Sequence, residues 1–139
     1  MGKKSRRRRG NSNSFRRKSK ELDLKQQGLE KKPNIVFGFA LKDATQGEDY
    51  ENWEEYKILS KALSRMQALC SMTVDEAKKQ QIIKEYGTEI PEGSKFERPN
   101  HIPEDVRWAS LRVQGQERVI GYLENNIFQV VFLDKEHDF

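Results

Sequence analysis

The residues best equipped for chemistry stand at the start of the chain. Arg6, Arg7, Arg8 and Arg9 form one basic run, and Arg16, Arg17 and Lys18 form a second, with Phe15 beside it. Guanidinium and ammonium groups at this density neutralise a phosphate backbone, and an interleaved aromatic ring can stack on a base. Residues 1–20 hold ten Lys/Arg and no acid, out of 26 basic and 22 acidic residues in the 139-residue chain. That leaves 16 basic against 22 acidic residues in 21–139, a net of −6, so a basic arm is joined to an acidic body. The expected partner of the arm is RNA, ahead of DNA; a localisation signal, or a solvated tail attracting any polyanion, is the alternative.

Other chemistries are poorly served. A single cysteine, Cys70, excludes an internal disulfide framework and a Cys-based zinc knuckle, and no glycine-rich phosphate loop or metal-ligand spacing is present. No cofactor or metal is therefore expected. There is no apolar run of the roughly 20 residues that a membrane span needs, nor an apolar signal segment, so the expected setting is cytoplasmic and reducing.

The elements that must position any site begin near Pro33. Residues 1–32 carry only scattered apolar side chains (Phe15, Leu22, Leu24, Leu29) and are expected to be disordered alone, with one domain over 33–139. Ile35 to Leu41 reads as a strand. After Asp49, a helix N-cap, the recurrence of Trp53, Tyr56, Ile58 or Leu59, Leu63, Met66 and Leu69 predicts one long amphipathic helix of about five turns. Cys70 at its end reads as a buried small apolar residue. Thr73-Val74-Asp75-Glu76 has the form of a capping box, predicting a second helix that buries Val74, Ala77, Ile82 or Ile83 and Tyr86 and stops at Gly87. Residues 88–106, with Pro91, Pro99 and Pro103, read as a long surface loop. Three antiparallel strands follow: Trp108–Val113, Arg118–Leu123, and the strongly apolar Ile127–Leu133 after an Asn125-Asn126 hairpin turn. The expected fold is α+β, in the order β-α-α-β-β-β, with two helices on an antiparallel sheet.

This order, with Leu111-Arg112-Val113 leading through Gly115-Gln116-Glu117-Arg118 into Val119-Ile120-Gly121-Tyr122 and a final apolar strand ending in a polar cluster, resembles the RelE/ParE toxin superfamily of bacterial toxin–antitoxin systems. The likeness covers residues 34–139 as topology and 107–139 as sequence. It implies a bacterial or phage toxin-type endoribonuclease that cleaves mRNA without metal, often on the ribosome, with an antitoxin protein as partner. Members that inhibit DNA gyrase share the scaffold and cut no RNA, so a ParE-like inhibitor, or a non-catalytic module binding RNA or a ribonucleoprotein, remains the alternative.

Metal-free RNA cleavage needs a base for the 2′-hydroxyl, a cation at the phosphate and an acid for the leaving oxygen. Under the resemblance Arg118 stands at the phosphate-stabilising position, and a guanidinium grips two phosphate oxygens at once; otherwise it is a surface arginine pairing with Glu117 or Glu124. His137, just past the last strand, takes the place of the general acid, and imidazole suits proton transfer near neutral pH. Lys135 adds charge, or merely solubilises the chain end. The base would come from the proline-rich loop: Glu104, with Glu97 and His101 as the other options, unless these are solvated loop residues. Arg107 and Arg112 are further RNA contacts, although alternation turns Arg112 away from Leu111 and Val113.

Overall fold

The structure, a computed structural model, describes residues 32–139. The expected disorder of residues 1–31 and the RNA contacts assigned to Arg6, Arg7, Arg8, Arg9, Phe15, Arg16, Arg17 and Lys18 lie outside the described residues.

The body is α+β. Strand β1 (Val36–Gly38) leads to three short helices, α1 (Tyr50–Glu55), α2 (Leu59–Leu69) and α3 (Val74–Lys79). Strands β2 (Ile83–Gly87), β3 (Trp108–Arg112), β4 (Arg118–Glu124) and β5 (Ile127–Asp134) complete it. The sheet has five strands in the order β1-β5-β4-β3-β2; β1 runs parallel to β5 and all other pairs are antiparallel. The expected β-α-α-β-β-β order on a wholly antiparallel sheet is thus corrected to β-α-α-α-β-β-β-β on a mixed one.

Both helix corrections have one cause. The apolar stripe is cut at Lys57, whose φ is 61°; Lys57 N–H donates to Glu54 O at 3.0 Å and Ile58 N–H to Trp53 O at 2.8 Å. These two bonds are a Schellman motif, which ends α1 and starts α2 in a new direction. The same pair closes α3: Gln81 has φ 59°, Gln81 N–H reaches Lys78 O, and Ile82 N–H reaches Ala77 O, each at 3.0 Å. A left-handed residue usually advertises itself as Gly or Asn, and here it is Lys57 and Gln81. Burial of Ile58 on Trp53 and of Ile82 on Ala77, within one core, supplies the hydrophobic contact that holds both caps. Beyond Gln81 the chain alternates Ile83-Lys84-Glu85-Tyr86 as a strand, and Gly87 (φ 104°) accommodates the register shift opposite Trp108 rather than a helix end. The capping box at Thr73 and Glu76 and the Asp49 N-cap are both present.

Each face of the sheet has its own core. On one face, Trp53, Ala62, Met66, Leu69 and Ala77 from the helices pack on Ile83, Leu111, Val119, Phe128 and Leu133. On the other, Phe96, Ile102 and Val106 pack on Trp108, Ile120, Tyr122 and Phe132. The segment that reads as a surface loop is therefore the cover of the second face, which is why β5 is buried almost throughout. Phe139 returns over the same face, with its ring centroid 5.3 Å from Tyr86 and 5.8 Å from Trp108. Tyr56, Leu63 and Cys70 are exposed rather than in the core, because the break at Lys57 rotates the stripe.

A bulge between Ile120 and Gly121 brings β5 very close to β4: a Cβ on Gly121 would stand 1.8 Å from Gln129 O. Gly121→Ala should cost at least about 2 kcal/mol in urea unfolding, whereas Gly115→Ala should stay within about 0.5 kcal/mol. The first figure fails if the two variants unfold at the same urea concentration.

Candidate functional site

Strand alternation and register assemble a basic corner at one end of the sheet. Arg112 lies directly across from Arg118, and Arg118 across from Asp134. Leu111, Val119 and Leu133, their chain neighbours, face the helices, so Arg112, Arg118 and Asp134 face the second side. Lys84 is paired with Ser110, whose hydroxyl lies 3.0 Å from Tyr86 Oη on that same side. Lys84 thus sits diagonally beside Arg112, with its ammonium 5.0 Å from the Tyr86 ring centroid. Two like charges in register across strands repel, and the Asp134 carboxylate across from Arg118 on the same side sets one negative charge beside these three cations.

Arg118 does not pair with the Glu117 or Glu124 carboxylates. Its Nη1 donates to Gly115 O at 2.6 Å and to Glu117 O at 3.1 Å, folding the side chain onto the β3–β4 turn. Gly115 N–H in turn donates to the Glu117 carboxylate at 3.0 Å, so the same short turn holds both groups. Arg112 makes no ion pair or side-chain hydrogen bond among the described residues, and its side chain is exposed.

The residues that follow β5 curl back to this side. The buried Asp134 carboxylate accepts Asp138 N–H at 2.8 Å and Phe139 N–H at 3.0 Å. Burial pushes the Asp134 carboxyl up, and these bonds and the His137 charge only partly offset it. His137 sits at the apex of the turn, exposed, with φ 57°. Arg118 and His137 are therefore carried by adjoining segments, one paired with Asp134 and the other in the turn that Asp134 ties down.

Three other site residues are placed elsewhere. The Lys135 ammonium lies 3.4 Å from the Tyr56 ring centroid and 3.4 Å from Asn52 Oδ1, packed against α1 on the helix side. Glu104 is exposed and lies 3.5 Å from the Arg98 guanidinium, in the 88–107 loop. Arg107 reaches Glu85 at 3.8 Å on the helix side and at the opposite end of β3 from Arg112. Lys84 escapes a reading of the sequence, because its segment reads as helix; the period-two alternation of Ile83 to Tyr86 is the available signal. Among the described residues no three His, Cys, Asp or Glu side chains are grouped to hold a metal ion, and no helix is long and apolar enough to cross a membrane.

Comparison with protein-family models, curated proteins and solved structures finds no match to this chain.

His101, the other base option, is held in a structural contact. Its Nε2 lies 2.8 Å from Leu41 O, tying the covering loop to the segment after β1. Beside it, burial pushes the Asp43 carboxyl up. The Thr45 hydroxyl, the Gln46 and Thr45 N–H groups and the His101 charge outweigh that and hold it below its ordinary value. A folded-state depression gives stability that is present above the unfolded value and lost as pH falls through the folded one. Asp43→Ala should therefore cost about 1–3 kcal/mol at pH near 7. The gap to the parent chain should narrow as pH drops below about 4, read by urea midpoints across pH; a gap that is constant with pH refutes the assignment.

Proposed function

We propose that this chain is an RNA-binding module whose body grips phosphate at the Lys84–Arg112–Arg118 corner and whose arginine-rich residues 6–18 supply further, sequence-independent attraction. The observation that carries this reading is the Arg112–Arg118 pair, two cations facing each other on a body of net negative charge. The second face is filled by Phe96, Trp108, Phe132 and Phe139, so contact is confined to its polar end. Single-stranded RNA suits such a corner, because its backbone is accessible to a short row of cations. Arg112→Ala and Arg118→Ala should each weaken binding to a single-stranded RNA and each reduce the slope of log K against log salt by about 0.7. Replacing Arg6–Arg9 and Arg16–Lys18 by Gln should lower the slope by several times that amount. Unchanged slopes in all three variants would refute phosphate contact.

A second reading follows the RelE-like resemblance: a toxin-type endoribonuclease, independent of metal, acting on mRNA and controlled by an antitoxin protein. The proximity of the His137 turn to Arg118 through Asp134 favours it. Glu104 and Lys135 do not join that corner, so a base is the part it lacks. In an RNA cleavage assay with EDTA present, this reading expects Arg118→Ala and His137→Ala each to lose at least about 100-fold in rate. Binding without any cleavage by the parent chain leaves the module reading alone.

A further inference from the structure

The β3–β4 turn has a second basic side. A cavity of about 400 Å³ lies between α2 and this turn, walled in part by Ser60, Lys61, Ser64, Arg65 and Gln114. Lys61 and Arg65 stand four residues apart and share one face of α2, with Ser60 and Ser64 beside them at the same spacing. Like charges at this spacing destabilise a helix. Among the described residues neither cation has an ion pair, and the cavity wall holds no carboxylate, although the body carries a net negative charge. The turn's own acid, Glu117, is occupied by Gly115 N–H, 3.0 Å away.

The second observation concerns how Arg65 is held. Its side chain is half-buried, and its Nε donates to Val113 O at 3.1 Å. That bond fixes the plane of the guanidinium and leaves its Nη N–H donors without a hydrogen-bond partner among the described residues. Arg118 grips the same turn, since its Nη1 donates to Gly115 O at 2.6 Å. The two carbonyls belong to residues two apart in the chain, so their Cα atoms are at most about 7 Å apart. Val113 faces the helices, whereas Arg112 and Arg118 face the second side. Two arginines thus clamp one turn from its two sides, each set by a main-chain carbonyl and not by a carboxylate. A guanidinium held in this way keeps its full charge for an anion and has less side-chain freedom to lose on binding one.

We propose that Lys61 and Arg65, with the Ser60 and Ser64 hydroxyls, form a second phosphate subsite, and that one RNA strand crosses the β3–β4 turn with phosphates on both sides of it. The class of ligand rests on the RNA-binding reading above; the residues are a separate group. Arg65 presents a fixed fork to two phosphate oxygens, and Lys61 adds a mobile point charge. The backbone then runs over the turn instead of across the aromatic-filled second face. Contacts of this kind position a strand without reading its bases, so binding is tolerant of sequence.

The test uses the intact chain and a single-stranded oligouridylate of about ten nucleotides. Lys61→Gln and Arg65→Gln together should reduce the slope of log K against log salt by about 1.4, and Lys61→Gln alone, at an exposed position, by about 0.7. Lys79→Gln, which removes an exposed charge from α3, should leave the slope unchanged. In the isotope-labelled chain, the Ser64 and Gln114 amide resonances should shift on titration with the same midpoint as that of Arg118. A methylphosphonate oligomer of the same sequence, whose backbone is neutral, should shift none of them. Ser64 and Gln114 resonances that stay in place at saturating RNA, an equal response to the methylphosphonate, or equal slopes for Lys61→Gln and Lys79→Gln overturn the subsite. Different midpoints overturn the single-strand path. Loss of slope at Lys61 and Arg65 with none at Arg112 and Arg118 overturns the corner and upholds the subsite; the reverse result overturns the subsite alone.

Discussion

The constraint on which the rest depends is that β5 must be covered on both faces. It lies between β1 and β4 in the sheet and is apolar nearly from end to end, so each face needs a separate layer. Three helices provide one layer. No described helix is left for the other, and an irregular segment of about twenty residues takes that place, anchored by Phe96, Ile102 and Val106. A fully buried aliphatic or aromatic side chain contributes roughly 1.5–3 kcal/mol, which is enough to hold a loop without regular hydrogen bonding of its own. The Gln46 side chain, bonded to the main chain of Glu97, and the contact of His101 with Leu41 O then tie that loop to the segment following β1.

That arrangement decides where chemistry can occur. A sheet face opposite a helical layer is an obvious place for a cleft, but here it is filled by a stack of aromatic rings, Trp108 lying parallel to Phe132 at 5.8 Å. Polar side chains are displaced to the ends of the strands. One end gathers Lys84, Arg112 and Arg118, and the loop rim gathers carboxylates. The body is thus mildly acidic overall but segregated in space, so its net charge says little about what any one surface attracts.

The turn after β5 links these features. Asp134 is buried, paired in register with Arg118, and bonded to two N–H groups of the chain end, and Phe139 closes the aromatic layer. The Asp138 carboxylate lies 3.2 Å from the Lys95 ammonium, attaching the covering loop to the same turn. Position of His137, cover of Trp108 and shape of the basic corner are therefore mechanically coupled through six residues.

Much of this is legible in the amino-acid order. Charge segregation, the α+β class, the Asp49 cap, the Thr73–Glu76 capping box, the Asn125 turn and the last three strands follow from local rules of spacing and side-chain chemistry, as does the outward turn of Arg112 from Leu111. Three things are decided only by tertiary packing. Lys57 and Gln81 adopt left-handed backbone because burying Ile58 and Ile82 outweighs their modest strain, and no local signal marks them; Lys84 is hidden for that reason. The proline-rich segment folds over the sheet because β5 demands a second cover, a need invisible from the segment itself. Lys135 parts company with Arg118 because it packs on Tyr56 and Asn52 on the helix side, and Glu104 because the fold of the covering loop sets it beside Arg98, and both placements are made by contacts between segments that local spacing does not encode.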